Sequence, residues 1–253
     1  MGKMVLLLDS DKSYASARML EEARKHKELI EKTCEIWVGS TISLHNEIDY
    51  WIKEARKSFD EVFLFPGRPI QALGGKHATY ILVPELLNKN PCFKNALARL
   101  MVKTGETLAK ILYPKNLLYK NYVKSKETPV LLYLGYLILG PESKVGRATG
   151  SLEIGLEDAL ERIKSYLKER RESYAIYIEA GSGAKRSVTG KLKLIEKARE
   201  IIKEKKFYAG GGLREIEEIN RLLDLDVNPV ISSYFEENPK EIYRFAREVY
   251  KRV

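Results

Sequence analysis

Tyr177-Ile178-Glu179-Ala180-Gly181-Ser182-Gly183-Ala184 joins a strand to a loop. The residues leading into it, 174–178, are few, apolar and β-branched or aromatic, the pattern of a buried strand. Beyond it, residues 188–205 repeat with helical period. An acidic residue therefore closes a strand, and small residues lead on toward a helix. Glycines let main-chain N–H groups come close to a ligand, and helix N-termini attract anions. Glycines equally serve purely steric turns, so one such loop decides little.

Two later stretches repeat the arrangement. Residues 206–209 read as a strand, followed by Gly210-Gly211-Gly212-Leu213-Arg214 and a helix over 214–223. Residues 227–231 read as another, ending in Ser232-Ser233 before Asn238-Pro239 opens the last helix, 239–252. Three successive strand ends thus offer Ser-Gly, Gly-Gly and Ser-Ser. In a (β/α)8 barrel the phosphate pocket commonly lies at the ends of strands seven and eight. The three ends read as one phosphate site.

Working back toward the N-terminus, further strand-like runs fall at 4–9, 35–40, 61–65, 79–83 and 131–139. Amphipathic helices fit 13–32, 44–58, 93–112 and 156–171. Eight strands with intervening helices predict an α/β fold, a (β/α)8 TIM barrel formed as one domain over 1–253. One connection is short. Pro66-Gly67-Arg68-Pro69 and Gly74-Gly75 leave little room for a full third helix.

The length, 253 residues, suits one such barrel and is enough to bury its core. Lys and Arg number 44 against 35 Asp and Glu, a net charge of +9. That excess suits anionic small substrates or an anionic membrane surface. It is spread along the chain with no basic tail or nucleic-acid motif, so nucleic acid is not an expected partner. A single Gln (Gln71) among many Lys and Glu leans toward a thermophile. Cys34 and Cys92 lack metal-like spacing and read as core fillers of a reduced, cytoplasmic protein. No signal peptide and no membrane-spanning apolar run is expected.

Asp9-Ser10-Asp11-Lys12 follows the first strand. Its two carboxylates either hold a hard cation or serve helix capping, and we assign Asp9 to the metal and Asp11 to capping or loop structure, with Ser13 as the other capping candidate. Val38-Gly39-Ser40-Thr41 places a hydroxyl on the same barrel face, or is plain turn chemistry. The apolar stretch 93–122 is either ordinary helix packing or a groove for a hydrocarbon chain. Lys144 and Arg147 either neutralise a diphosphate or stand solvated. His26, His45 and His77 share no ligand spacing, and His26 and His45 read as surface residues.

These residues, in this order, resemble the geranylgeranylglyceryl phosphate synthase family and its bacterial heptaprenyl relatives. The similarity is carried by Leu8-Asp9-Ser10-Asp11-Lys12, Val38-Gly39-Ser40-Thr41, Leu64-Phe65-Pro66-Gly67 and Leu86-Leu87-Asn88-Lys89-Asn90-Pro91. It continues through Gly135-Tyr136-Leu137-Ile138, residues 177–184, Gly210-Gly211-Gly212-Leu213-Arg214 and Glu236-Glu237-Asn238-Pro239. It runs nearly end to end.

The resemblance implies a barrel with an altered third helix. It implies a Mg²⁺-dependent transferase that joins a polyprenyl (geranylgeranyl) diphosphate to the 3-hydroxyl of sn-glycerol 1-phosphate, the first ether bond of archaeal membrane lipids. Asp9 and Thr41 match the Mg²⁺ positions. Tyr177 and Glu179 match residues that contact the glycerol and are the catalytic candidates. Ser182, Gly183, Gly211 and Gly212 match the phosphate cradle, and Ser232-Ser233 stands where the family has Gly-Asn. The resemblance also implies a homo-oligomer, and the lipid product implies contact with a membrane surface. A repurposed or non-catalytic phosphate-binding barrel is the alternative.

Overall fold

The computed structural model describes residues 2–40, 44–67, 69–89, 129–181 and 187–252. A strand of a parallel sheet is covered on both faces, so it reads as a nearly continuous apolar run rather than an alternation. Eight such runs form β1 (Met4–Asp9), β2 (Cys34–Ser40), β3 (Val62–Pro66), β4 (Tyr80–Leu86), β5 (Val130–Ile138), β6 (Ala175–Glu179), β7 (Lys206–Gly210) and β8 (Asn228–Ile231). They pair in sequence order, and β8 closes onto β1 as a barrel. All pairings are parallel. The register sets Glu179 level with Ile138 on β5 and Gly210 on β7.

Around the barrel stand α1 (Ser13–Lys25), α2 (Lys27–Thr33), α3 (His45–Arg56), α4 (Lys144–Thr149), α5 (Leu156–Glu169), α6 (Leu192–Ile202), α7 (Ile216–Asp224), α8 (Ser233–Glu237) and α9 (Glu241–Tyr250). Their inner faces bury Ile52, Ile163, Ile195, Leu222 and Phe245 against the outer faces of the strands. Between β3 and β4 the chain runs as a 3-10 helix over Pro69–His77. The helix expected at 93–112, the apolar stretch 93–122 and Cys92 lie outside the described residues.

Three expectations change. The helix expected over 13–32 breaks at His26, whose ring stacks on Tyr243 of α9 with centroids 4.2 Å apart. The break lets α2 bury Ile30 and Thr33. The helix expected from 188 begins as a 3-10 turn, Val188–Lys191, with the Ser187 side chain capping it, and α6 follows. Two short helices, α4 and α8, were not anticipated; at six and five residues they are too brief for a period to show.

Asn88 explains one of the quoted motifs. It is fully buried, and its amide donates to the carbonyls of Ile138 (2.6 Å) and Leu152 (2.7 Å) while its oxygen accepts from Ile138 N–H (3.1 Å). It latches the end of β4 to the end of β5.

The barrel interior is aromatic, with Trp37, Phe63, Tyr136, Tyr177 and Tyr208 all buried. At its N-terminal end Glu35 accepts from Trp37 Nε1 (3.1 Å) and Tyr208 OH (2.9 Å) and pairs with Lys206. Burial first, then the Glu35 charge, holds the Tyr208 phenol well above its ordinary pKa. This end of a barrel serves stability rather than chemistry. Glu35→Gln keeps an acceptor but turns an amide donor toward existing donors. It is expected to cost about 1–2 kcal/mol, seen as a lower midpoint in calorimetry. An unchanged midpoint would show that the network adds nothing.

Cys34 is buried beside Thr33, and burial pushes its thiol up to about 12, as suits a packing residue without redox chemistry.

Candidate active site

Successive residues of a strand alternate faces, so Tyr177 and Glu179 both point into the barrel. Glu179 closes β6 and is 8% exposed. Tyr136, on the neighbouring strand β5, donates its hydroxyl to Glu179 Oε2. The Tyr136 ring also stacks on Tyr177, with centroids 5.1 Å apart and planes 17° from parallel. Below them the Trp37 ring meets Tyr177 edge-on at 6.2 Å. Burial raises the Tyr177 phenol far above its ordinary value. A phenol so raised holds its proton and has a hydrogen to donate.

A missing side chain makes room for that hydroxyl. A Cβ on Gly210, the last residue of β7, would stand 2.8 Å from Tyr177 OH and 2.9 Å from the Val230 carbonyl. Beyond it, Gly211 and Gly212 take φ of +98° and +71°, the left-handed region that favours glycine. The Gly211 turn lies directly on the loop after β6, held by Ala180 N–H to Gly210 O and Val188 N–H to Gly211 O, both 2.9 Å. Tyr177, Glu179, Gly211, Gly212, Ser232 and Ser233 line one cleft at the ends of β6, β7 and β8.

Within the cleft the serine end is partly committed. Ser232 Oγ donates to Glu236 Oε1 at 2.7 Å, and Glu236 pairs with Lys12 at 2.5 Å. The hydroxyl expected to face a phosphate therefore faces a carboxylate of α8, because Glu236 is one helical turn away and nearly buried.

The two carboxylates after β1 make different local bonds. Asp9 is the cap: its Oδ1 accepts the Asp11 N–H at 3.1 Å and closes a single 3-10 turn, Ser10–Lys12. The helix α1 starts from Lys12, whose side chain does not cap it, and the Ser13 hydroxyl donates back to Ser10 O. The extra 3-10 turn before the helix is the reason. The Asp11 carboxylate accepts from Ser40 Oγ and pairs with Lys144 Nζ at 3.0 Å. Burial raises the Asp9 carboxyl, against the opposing Asp11 N–H bond. Thr41, Ser182 and Gly183 lie outside the described residues. Among the described residues no three His, Cys, Asp or Glu side chains converge on a common point.

The chain matches the PcrB family over residues 5–249. It belongs to the PcrB family.

This match bears out the resemblance carried by the sequence motifs. Comparison with curated proteins gives no match. Among solved structures, the PcrB-family chain is similar to GGGPS from Thermoplasma volcanium, at 24% identity and a TM-score of 0.72, covering 99% of this chain and 91% of that one. It is similar to (S)-3-O-geranylgeranylglyceryl phosphate synthase from Thermoplasma acidophilum, solved in complex with substrate sn-glycerol-1-phosphate. There the identity is 22% and the TM-score 0.73, over 100% of this chain and 94% of that one. A tryptophan synthase α-subunit from Pyrococcus furiosus is more distant, at 13% identity and a TM-score of 0.58, covering 98% and 96%. At these identities each likeness establishes a shared barrel.

Three residues beside this PcrB-family cleft, in contact with Glu179, Tyr177 and Ser232, escaped the sequence reading as site residues. Tyr136 was visible only inside a motif, and its bond to Glu179 follows from β5 lying beside β6. Gly210 read as one of three glycines in a loop, yet it ends the strand. Glu236 was visible only inside the motif ahead of the last helix. Its spacing of four from Ser232 was the available signal.

Proposed function

We propose that this PcrB-family chain is a Mg²⁺-dependent transferase that joins a polyprenyl diphosphate, geranylgeranyl in length, to the 3-hydroxyl of sn-glycerol 1-phosphate. The observation that carries this reading is the single cleft with a tyrosine-held carboxylate at one end and paired left-handed glycines at the other. A phosphate seated against Gly211 and Gly212 directs the glycerol carbons toward Tyr177 and Glu179. Orientation of that kind converts an encounter into an intramolecular step.

The new bond joins the glycerol oxygen to the first carbon of the prenyl chain. The bond from that carbon to the diphosphate oxygen breaks, and diphosphate leaves with the electron pair. Glu179 takes the hydroxyl proton as the bond forms. Tyr136 fixes the carboxylate by its hydrogen bond, and Tyr177 supplies a donor to the glycerol.

Asp9 and Thr41 would hold the Mg²⁺, which neutralises charge on the departing diphosphate. The donor set suits it: Mg²⁺ is characteristically bound by one or two carboxylates together with substrate phosphates. The buried Asp9 carboxyl, raised by its burial, is a group whose ionised form a cation would favour. Because the folded protein holds that carboxyl above its ordinary value, it gives up stability as pH rises through that range. Asp9→Asn is therefore expected to melt no lower than wild type without metal, and to lose the upward shift that Mg²⁺ with pyrophosphate gives wild type. A metal-free variant melting well below wild type would assign Asp9 a structural part instead.

We read the 3-10 segment Pro69–His77 as the altered third helix of this family. The lipid product places the barrel mouth near a membrane surface, where the net charge of +9 favours anionic headgroups.

The test is a turnover assay with Mg²⁺, sn-glycerol 1-phosphate and radiolabelled geranylgeranyl diphosphate. An ether-linked product that disappears with EDTA and with Asp9→Ala is expected. A repurposed phosphate-binding barrel is the second reading, favoured by the Ser232–Glu236 bond. Binding of glycerol phosphate without any product would decide for it.

A further inference from the structure

One ion pair crosses the mouth of the barrel, and the reaction as described leaves it without a part. Asp11 follows β1 and Lys144 opens α4 after β5, four strands away around an eight-stranded barrel. Their side chains meet at 3.0 Å over the opening. The Asp11 side chain is 7% exposed and that of Lys144 46%. Ser40, at the end of β2, donates to the other oxygen of the same carboxylate.

Lys144 is held to the reacting side of the mouth by its neighbour. A Cβ on Gly181 would stand 2.6 Å from Ser143 Cβ, so the start of α4 lies against the loop that follows Glu179. The two other cations nearby are placed differently. Arg147 donates to the carbonyl of Glu142 in its own turn, and Lys12 pairs with Glu236 on α8. Only the Asp11–Lys144 pair, of these three, joins opposite sides of the opening.

We propose that Lys144 receives the diphosphate of the prenyl donor, and that Asp11 occupies its ammonium group until the donor arrives. The pair is a strap that the diphosphate opens. A diphosphate brings several anionic oxygens to a cation now matched by one carboxylate, and charge-assisted bonds of this kind are the strong ones. In the absence of metal, Asp11 is a competitor: the apparent affinity for the anion falls with the fraction of molecules in which Lys144 is disengaged. This inference rests on the transferase reading and adds to it a residue for the leaving group.

The experiment is calorimetric titration of the full chain with inorganic pyrophosphate, without Mg²⁺ and then with it. Lys144→Met, which keeps the aliphatic stem, is expected to weaken binding at least about tenfold. Asp11→Asn is expected to bind pyrophosphate severalfold tighter than wild type without Mg²⁺, because the competitor is gone. Titration of the same preparations with sn-glycerol 1-phosphate checks that each variant is folded. Variants that bind pyrophosphate as wild type does would overturn the strap and leave a diphosphate site, and with it the transferase reading, standing. Weaker metal-free binding by Asp11→Asn would also overturn it. A wild-type protein that binds no pyrophosphate under either condition would remove both.

Discussion

Glu179→Gln is expected to bind sn-glycerol 1-phosphate nearly as wild type does and to lose roughly 10²–10⁴-fold in turnover, the share a positioned general base usually supplies. The substitution is nearly isosteric, and its carbonyl still accepts the Tyr136 hydroxyl that now bonds Glu179. Shape and orientation are therefore kept while the ability to take a proton is removed. A loss confined to kcat fits this part. A loss confined to KM would make Glu179 a binding group, and unchanged turnover would remove it from the mechanism.

Gly211→Ala is expected to lose both stability and the glycerol phosphate site. At φ +98° an alanine sits where L-residues are disfavoured, by roughly 1–2 kcal/mol. Its Cβ would also lie 2.9 Å from both the N and the O of Gly181 and 3.1 Å from Ala180 N. These are main-chain atoms that cannot rotate aside, and forcing extra volume into such a contact costs about 1–3 kcal/mol. Together the two effects come to roughly 2–5 kcal/mol, a large part of a typical stability of about 5–15 kcal/mol. Displacing either loop also spoils the cleft, so phosphate binding should go with it. Gly190→Ala is the control, since a Cβ there has open space and no positive φ. Similar melting midpoints for the two variants would mean that the contact between the loops yields at little cost.

The strands were legible because burial on both faces leaves a short apolar run bounded by polar or small residues. β1 falls where the sequence places it, and the others within a few residues. The break at His26 was not legible, since the helical period continues through it. What breaks the helix is a ring on α9, far along the chain. In the cleft, Glu179 and the glycine loops stood out because each lies in one consecutive stretch at a strand end. The contributions of Tyr136 and Gly210 depend on which strands are neighbours and in what register, which no local pattern contains. The different bonds made by Asp9 and Asp11 have the same origin. Two carboxylates spaced by two residues look alike locally, and the groups that draw Asp11 inward, Ser40 and Lys144, come from β2 and α4.

The aromatic filling of the barrel gives the protein an optical reporter of its own. Trp37 is fully shielded from solvent, with the Tyr208 ring 4.8 Å away and the Tyr177 ring 6.2 Å away on the side of the cleft. Light absorbed by these tyrosines passes readily to an indole so near, and its emission responds to any movement of the Tyr177 ring. The chain has only two tryptophans, and the second, Trp51, packs beside Tyr50 on α3. With Trp51→Phe in the background, fluorescence from Trp37 would follow occupancy of the cleft in real time, without a label.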